Sequence, residues 1–127
     1  MTKALWMLDE RRKRRSANRS EALRFQLEHT KEQGGLEAVA LSDKDGLLLA
    51  SAGEEGVCEE LGAFAPLLCQ SPMGMRLPPL LRGGEVAVRS VSIHGTGLFM
   101  ACLGGGVARD ALLTHTTQGA RRILAAN

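Results

Sequence analysis

The sequence of 127 residues predicts a single α/β (α+β) domain, and three observations carry that prediction. Leu23, Leu27 and Thr30 recur at helical spacing, two apolar runs flank the turn-forming segment Ser42-Asp43-Lys44-Asp45-Gly46, and Leu98 to Leu103 is unbroken in its apolar character. A helical period, a hairpin signal and a buried-strand run in one short chain point to helices packed on a sheet. Hydrophobic residues make up 44% of the chain, enough for one core of ordinary size but not for two.

The first helix is expected from about Ser20, which can cap it, to Gln33, with Gly34-Gly35 as its stop. Arg24, Glu28, Lys31 and Glu32 fall outside its apolar stripe and belong to a solvated face. Ahead of it, residues 1–19 read as a basic N-terminal arm and residues 20–127 as the folded domain. The arm carries Arg11-Arg12-Lys13-Arg14-Arg15, five like charges that repel one another and call for solvent. Residues 1–33 hold nine Lys and Arg against five Asp and Glu, whereas residues 34–127 hold seven against nine.

Leu36 to Leu41 and Leu47 to Ser51 form the arms of a hairpin, because Asp45-Gly46 between apolar runs supplies the positive φ that tight turns need. The same Asp-x-Asp-Gly does not open a calcium loop. With Gly46 at the sixth position, Leu41 and Ala52 would stand at the first and twelfth, and neither can ligate the ion. Glu54 and Glu55 then sit favourably at the positive end of a second helix, Val57 to Gln70, whose apolar positions are Val57, Leu61, Phe64, Ala65 and Leu68. Pro66 inside it predicts a kink rather than an end, since Leu67 and Leu68 extend the apolar face.

Ser71 to Gly84, rich in Pro and Gly yet apolar at Met73, Met75, Leu77, Leu80 and Leu81, reads as an ordered loop or short edge segment. Glu85 to His94 is strand-like. Its apolar parity switches from Val86 and Val88 to Val91 and Ile93, which predicts a bulge or strand boundary near Arg89-Ser90. Gly95-Thr96-Gly97 makes the next turn, Leu98 to Leu103 a strand buried on both faces, and Gly104-Gly105-Gly106 the release into a last helix, about Ala108 to Leu124. Leu112, Thr116, Gly119 and Ile123 share one face of that helix. Gly119 costs about 1 kcal/mol relative to Ala there, so a close approach of neighbouring structure is expected.

The residues that carry chemistry are scattered. His29, His94 and His115 have no ligand-spaced partner, and Cys58, Cys69 and Cys102 are odd in number and far apart, so they read as reduced, buried small hydrophobes. Cys102 paired with His94 or His115 would lie in the most apolar strand, where burial quenches a thiol. Gly104 to Gly106 lacks the Lys of a phosphate loop, and Glu54/Glu55 and Glu59/Glu60 read as solvated pairs. No catalytic residue, metal or cofactor is therefore assigned, and the chain is expected not to be an enzyme.

With 3% aromatic residues and no Tyr, base-stacking surfaces are scarce and nucleic acid is disfavoured as a partner. No run is long and apolar enough to span a membrane, and the apolar residues at the start precede the basic ones, the reverse of a secretory signal, so a cytoplasmic location is expected.

The segment Gly34-Gly35-Leu36-Glu37-Ala38-Val39-Ala40-Leu41-Ser42-Asp43-Lys44-Asp45-Gly46-Leu47-Leu48-Leu49-Ala50-Ser51 resembles the roadblock/dynein light chain family. Its members run from a helix into a Gly-Val/Leu-x-x-Ala strand, an Asp-x-Asp-Gly turn and a second strand ending in Ala-Ser. The resemblance covers about Ser20 to Leu124, with its specific part in the first third.

It implies a roadblock/profilin-like, mostly antiparallel sheet of four or five strands sandwiched by helices, in the order α-β-β-α-β-β(-β)-α. The fifth strand would lie in Leu77 to Leu81 or in the first half of Glu85 to His94. It further implies a homodimer and a non-catalytic scaffold or regulator for a small Ras-like GTPase, or a light chain of a motor complex. The dimer or partner residues it implies are Val57, Leu61, Phe64 and Leu68 on the middle helix and Val86 and Val88 on the strand. Two other functions compete: a nucleic-acid or anionic-surface binder using Arg11, Arg12, Lys13, Arg14 and Arg15, and a small-molecule sensor.

Overall fold

The computed structural model describes residues 2–70, 81, 85–105 and 109–125. Its elements are α1 (Thr2–Gly34), β1 (Leu36–Asp43), β2 (Leu48–Gly53), α2 (Glu55–Gln70), β3 (Val86–Ile93), β4 (Thr96–Gly104) and α3 (Arg109–Ala125). The four strands form one antiparallel sheet in the order β2-β1-β4-β3, with helices on both faces.

Leu23, Leu27 and Thr30 of α1 are all buried, as their spacing predicts. The helix does not begin at Ser20, however, but runs back to Thr2. Residues 9–19 contain no Gly or Pro, and six of the eleven are Arg or Lys, good helix formers, so nothing interrupts the hydrogen-bond ladder at Ser20. The basic run thus lies in the N-terminal half of a helix about 50 Å long.

The β1–β2 hairpin closes as expected. The Asp43 carboxylate accepts hydrogen bonds from the Asp45 and Leu47 amides, each at 2.9 Å, and the Gly46 amide donates to the Asp43 carbonyl at 3.0 Å. Gly46 takes φ 83°, and a Cβ there would stand 3.0 Å from the Ala63 Cα, so the turn lies directly against α2. The Asp43 side chain therefore holds the turn's own amides.

The Glu54 carboxylate starts α2 by accepting from the Gly56 and Val57 amides at 3.1 Å. The helix continues through the buried Pro66 to Gln70.

Beyond it, β3 departs from expectation: its pairing with β4 keeps one register from Val86↔Leu103 to Ile93↔Thr96, with no bulge at Arg89-Ser90. The parity switch has another cause. Val86 and Val88 pack on the α2 side of the sheet, whereas Val91 and Ile93 join the core beneath α1 and α3. A regular strand whose two ends are covered on opposite faces produces that pattern. The following turn is His94-Gly95, both at positive φ (52° and 79°), which leaves Thr96 and Gly97 inside β4. Of the segment Ser71 to Gly84, expected to form an ordered loop or to hold an additional strand at Leu77 to Leu81, all but the buried Leu81 lies outside the described residues.

β4 is buried on both faces: Leu98, Met100 and Cys102 belong to the core under α1 and α3, and Ala101 and Leu103 to the core under α2. Gly119 of α3 sits against α1, where a Cβ would come within 2.9 Å of the Gln26 side chain. Gln26 Nε2 also donates to the buried Thr116 hydroxyl at 3.5 Å. Leu27, at 0% exposure, fills the angle between α1 and the sheet, and Leu27→Ala is expected to cost about 2–5 kcal/mol, read from urea unfolding.

Candidate partner-binding face

The placement of α2 follows from small residues beneath and within it. Ala38, Ala40 and Ala101 floor its side of the sheet, and Gly62 leaves room for Leu48, whose Cδ1 would be 2.9 Å from a Cβ at that position. That contact, together with the Gly46–Ala63 approach, sets one flank of α2 over β1 and β2. Steps of 100° per residue then put Val57, Glu60, Phe64 and Leu67 on the other flank, toward β4 and β3.

Along this flank, Val57 and Phe64 are half-buried and Leu67 is 48% exposed. Val86 and Val88 are half-buried on the same side of the sheet, and with Val57 and Phe99 they edge the α2-side core. β3 is an outer strand, and no strand pairs with its free side among the described residues. The result is an apolar band, partly open to solvent, beside a row of strand amides and carbonyls that can pair with another chain. Glu60 interrupts the band with a buried Oε2 that has no hydrogen-bond partner among the described residues.

Two of the residues expected at an interface are buried within the chain itself. Leu61 is fully buried and Leu68 is 9% exposed, both facing the chain's own sheet. They lie at the centre of the helix's inward stripe, where they hold α2 against the sheet. Leu67, adjacent to Leu68 in sequence, takes the exposed position, three residues on from Phe64. Arg11, Arg12, Lys13, Arg14 and Arg15 lie in α1, the helix on the opposite face of the sheet.

The cysteines divide similarly. Cys58 and Cys102 are buried and Cys69 is exposed, contrary to the expectation that all three are buried, because Cys69 lies just past the last inward residue of α2. The Cys58 thiol donates to the Ala52 carbonyl at 3.4 Å, and burial pushes its pKa up, which keeps it protonated and inert. Among the described residues no three His, Cys, Asp or Glu side chains gather as a metal site. Nor is any described helix long and apolar enough to cross a membrane.

No family model and no curated protein matches the chain. Among solved structures it is similar to Myxococcus xanthus MglB, with 13% sequence identity and a TM-score of 0.49, over 84% of this chain and 86% of that one.

The burial pattern predicts the order of thiol reactivity. Under native conditions a thiol reagent should label Cys69 alone, with Cys58 and Cys102 following only in denaturant, as counted by intact mass.

Proposed function

We propose that this chain is a roadblock-type domain that acts as a non-catalytic, cytoplasmic scaffold or regulator, pairing with a second copy of itself and binding a small Ras-like GTPase. The observation that carries the pairing is the band formed by Val57, Phe64, Leu67, Val86 and Val88 beside the free side of β3. An antiparallel match of two β3 strands would satisfy both free edges at once and bring the two bands together in an isologous contact. Support for the GTPase comes from the likeness of residues 34–51 to the roadblock family, a segment that folds as the strand, Asp-x-Asp-Gly turn and strand which that likeness implies.

Under this reading the protein contributes surface and geometry, and any chemistry belongs to the bound enzyme. Glu60 gives the interface a preference. A carboxylate oxygen already withdrawn from water is best matched by a donor arriving from the partner, because an unpaired buried acceptor is costly.

Light scattering after size exclusion should give a dimer mass. Leu67→Lys or Val88→Lys should shift it to a monomer with the circular dichroism spectrum unchanged, whereas Leu61→Ala should instead lose about 2–5 kcal/mol of stability. A mass that stays monomeric at high concentration removes the pairing. Candidate Ras-like GTPases loaded with GDP or a non-hydrolysable GTP analogue should co-elute in one nucleotide state, and absence of binding in both removes the GTPase.

A further inference from the structure

Ahead of Leu23, the first buried residue among those whose burial is described, α1 extends to Thr2. Of residues 17–21 only Arg19 is even half-buried, and the inward stripe of α1 begins at Leu23, so the helix runs on from the body toward Thr2. Residues 1–19 hold seven Lys and Arg against two acidic residues, a net +5; the remaining residues hold nine against twelve, a net −3. Nearly all of the chain's capacity to attract anions is therefore concentrated on one helical segment.

Within that segment, apolar and cationic residues are separated along the helix axis and not around it. Ala4-Leu5-Trp6-Met7-Leu8 are five consecutive positions that step round every side of the helix, as do Arg11-Arg12-Lys13-Arg14-Arg15. The two blocks are centred seven residues apart, about 10 Å along the axis. A nucleic-acid duplex would use the cations and give the apolar block no place. A lipid surface offers both layers, phosphates and acyl chains, within a comparable depth.

We propose that the N-terminal half of α1 seats the protein on an anionic lipid bilayer, with Leu5, Trp6 and Leu8 at the boundary between headgroups and acyl chains and Arg11 to Arg15 among the lipid phosphates. Neither block suffices alone: a short apolar segment binds marginally, and a cationic run binds weakly at physiological salt, so the two act together. Asp9 and Glu10 lie between the blocks and oppose attachment, which makes the full cationic run necessary. The net negative body confines attachment to this segment.

Trp6 is the only tryptophan in the chain, so its emission reports directly on the segment. With the full-length protein, mixed phosphatidylcholine–phosphatidylglycerol vesicles should shift Trp6 emission to the blue and sediment the protein, while phosphatidylcholine vesicles should do neither, and raising salt should release it.

Replacing Arg11, Arg12, Lys13, Arg14 and Arg15 by Gln should lower partitioning by about a hundredfold or more. Leu5→Ser with Leu8→Ser should lower it by about tenfold with the charge intact. If the Gln variant does not fold, the salt series and the Leu5/Leu8 variant decide. Equal binding to neutral vesicles, no blue shift on anionic ones, or binding to a DNA duplex that is indifferent to the Leu5/Leu8 substitutions while vesicles are ignored would each overturn the proposal.

Discussion

The pairing of β1 with β4 is the contact on which the rest of the structure depends. Each hairpin can close locally, β1 to β2 through Asp43 and Gly46 and β3 to β4 through His94 and Gly95. Only the long-range ladder from Leu36↔Gly104 to Asp43↔Leu98 joins them into one sheet. It brings together segments about 60 residues apart, and the loop-closure entropy this costs has to be recovered by burying both central strands on both faces. Val39, Leu41, Met100 and Cys102 on one side, and Ala38, Ala40, Ala101 and Leu103 on the other, are nearly or fully buried as a result.

The two faces are filled differently, and that difference sets the shape of the surface. Beneath α1 and α3 the strands present large side chains, and Leu23, Leu27, Leu113 and Ala120 complete a broad core. Beneath α2 the central strands present mainly alanines, so a single helix comes close and covers the middle of the sheet. One helix cannot also cover the margin. Val86, Val88 and the outer flank of α2 are left partly wet beside β3, an outer strand among the described residues, and the proposed pairing with another chain rests on that margin.

Much of this arrangement is legible in the sequence because it rests on local periodicity. The stripe Leu23, Leu27 and Thr30, the Asp43–Gly46 turn and the two-faced run Leu98 to Leu103 each follow from neighbouring residues and elementary geometry. The candidate face is legible only in outline. Val57, Phe64, Val86 and Val88 are recognisable as apolar members of a helix and a strand, but spacing alone does not distinguish the inward stripe of α2 from its flank. Leu61 and Leu68 belong to the first and Leu67 to the second. Helical spacing from Phe64 was the available signal for Leu67, but it acquires meaning only once the side of α2 that meets β1 and β2 is known.

By itself, then, the sequence determined the kind and order of the elements, the chemistry of the turns and the separation of charge between the leading helix and the body, all of which arise from contacts between near neighbours. Tertiary structure alone decided that β3 is the outer strand of the described sheet, that its two ends are covered on opposite faces, and which of the described apolar residues remain exposed. Those outcomes depend on which strand lies beside which, and strand order is fixed by burial summed over the whole sheet rather than by any one segment.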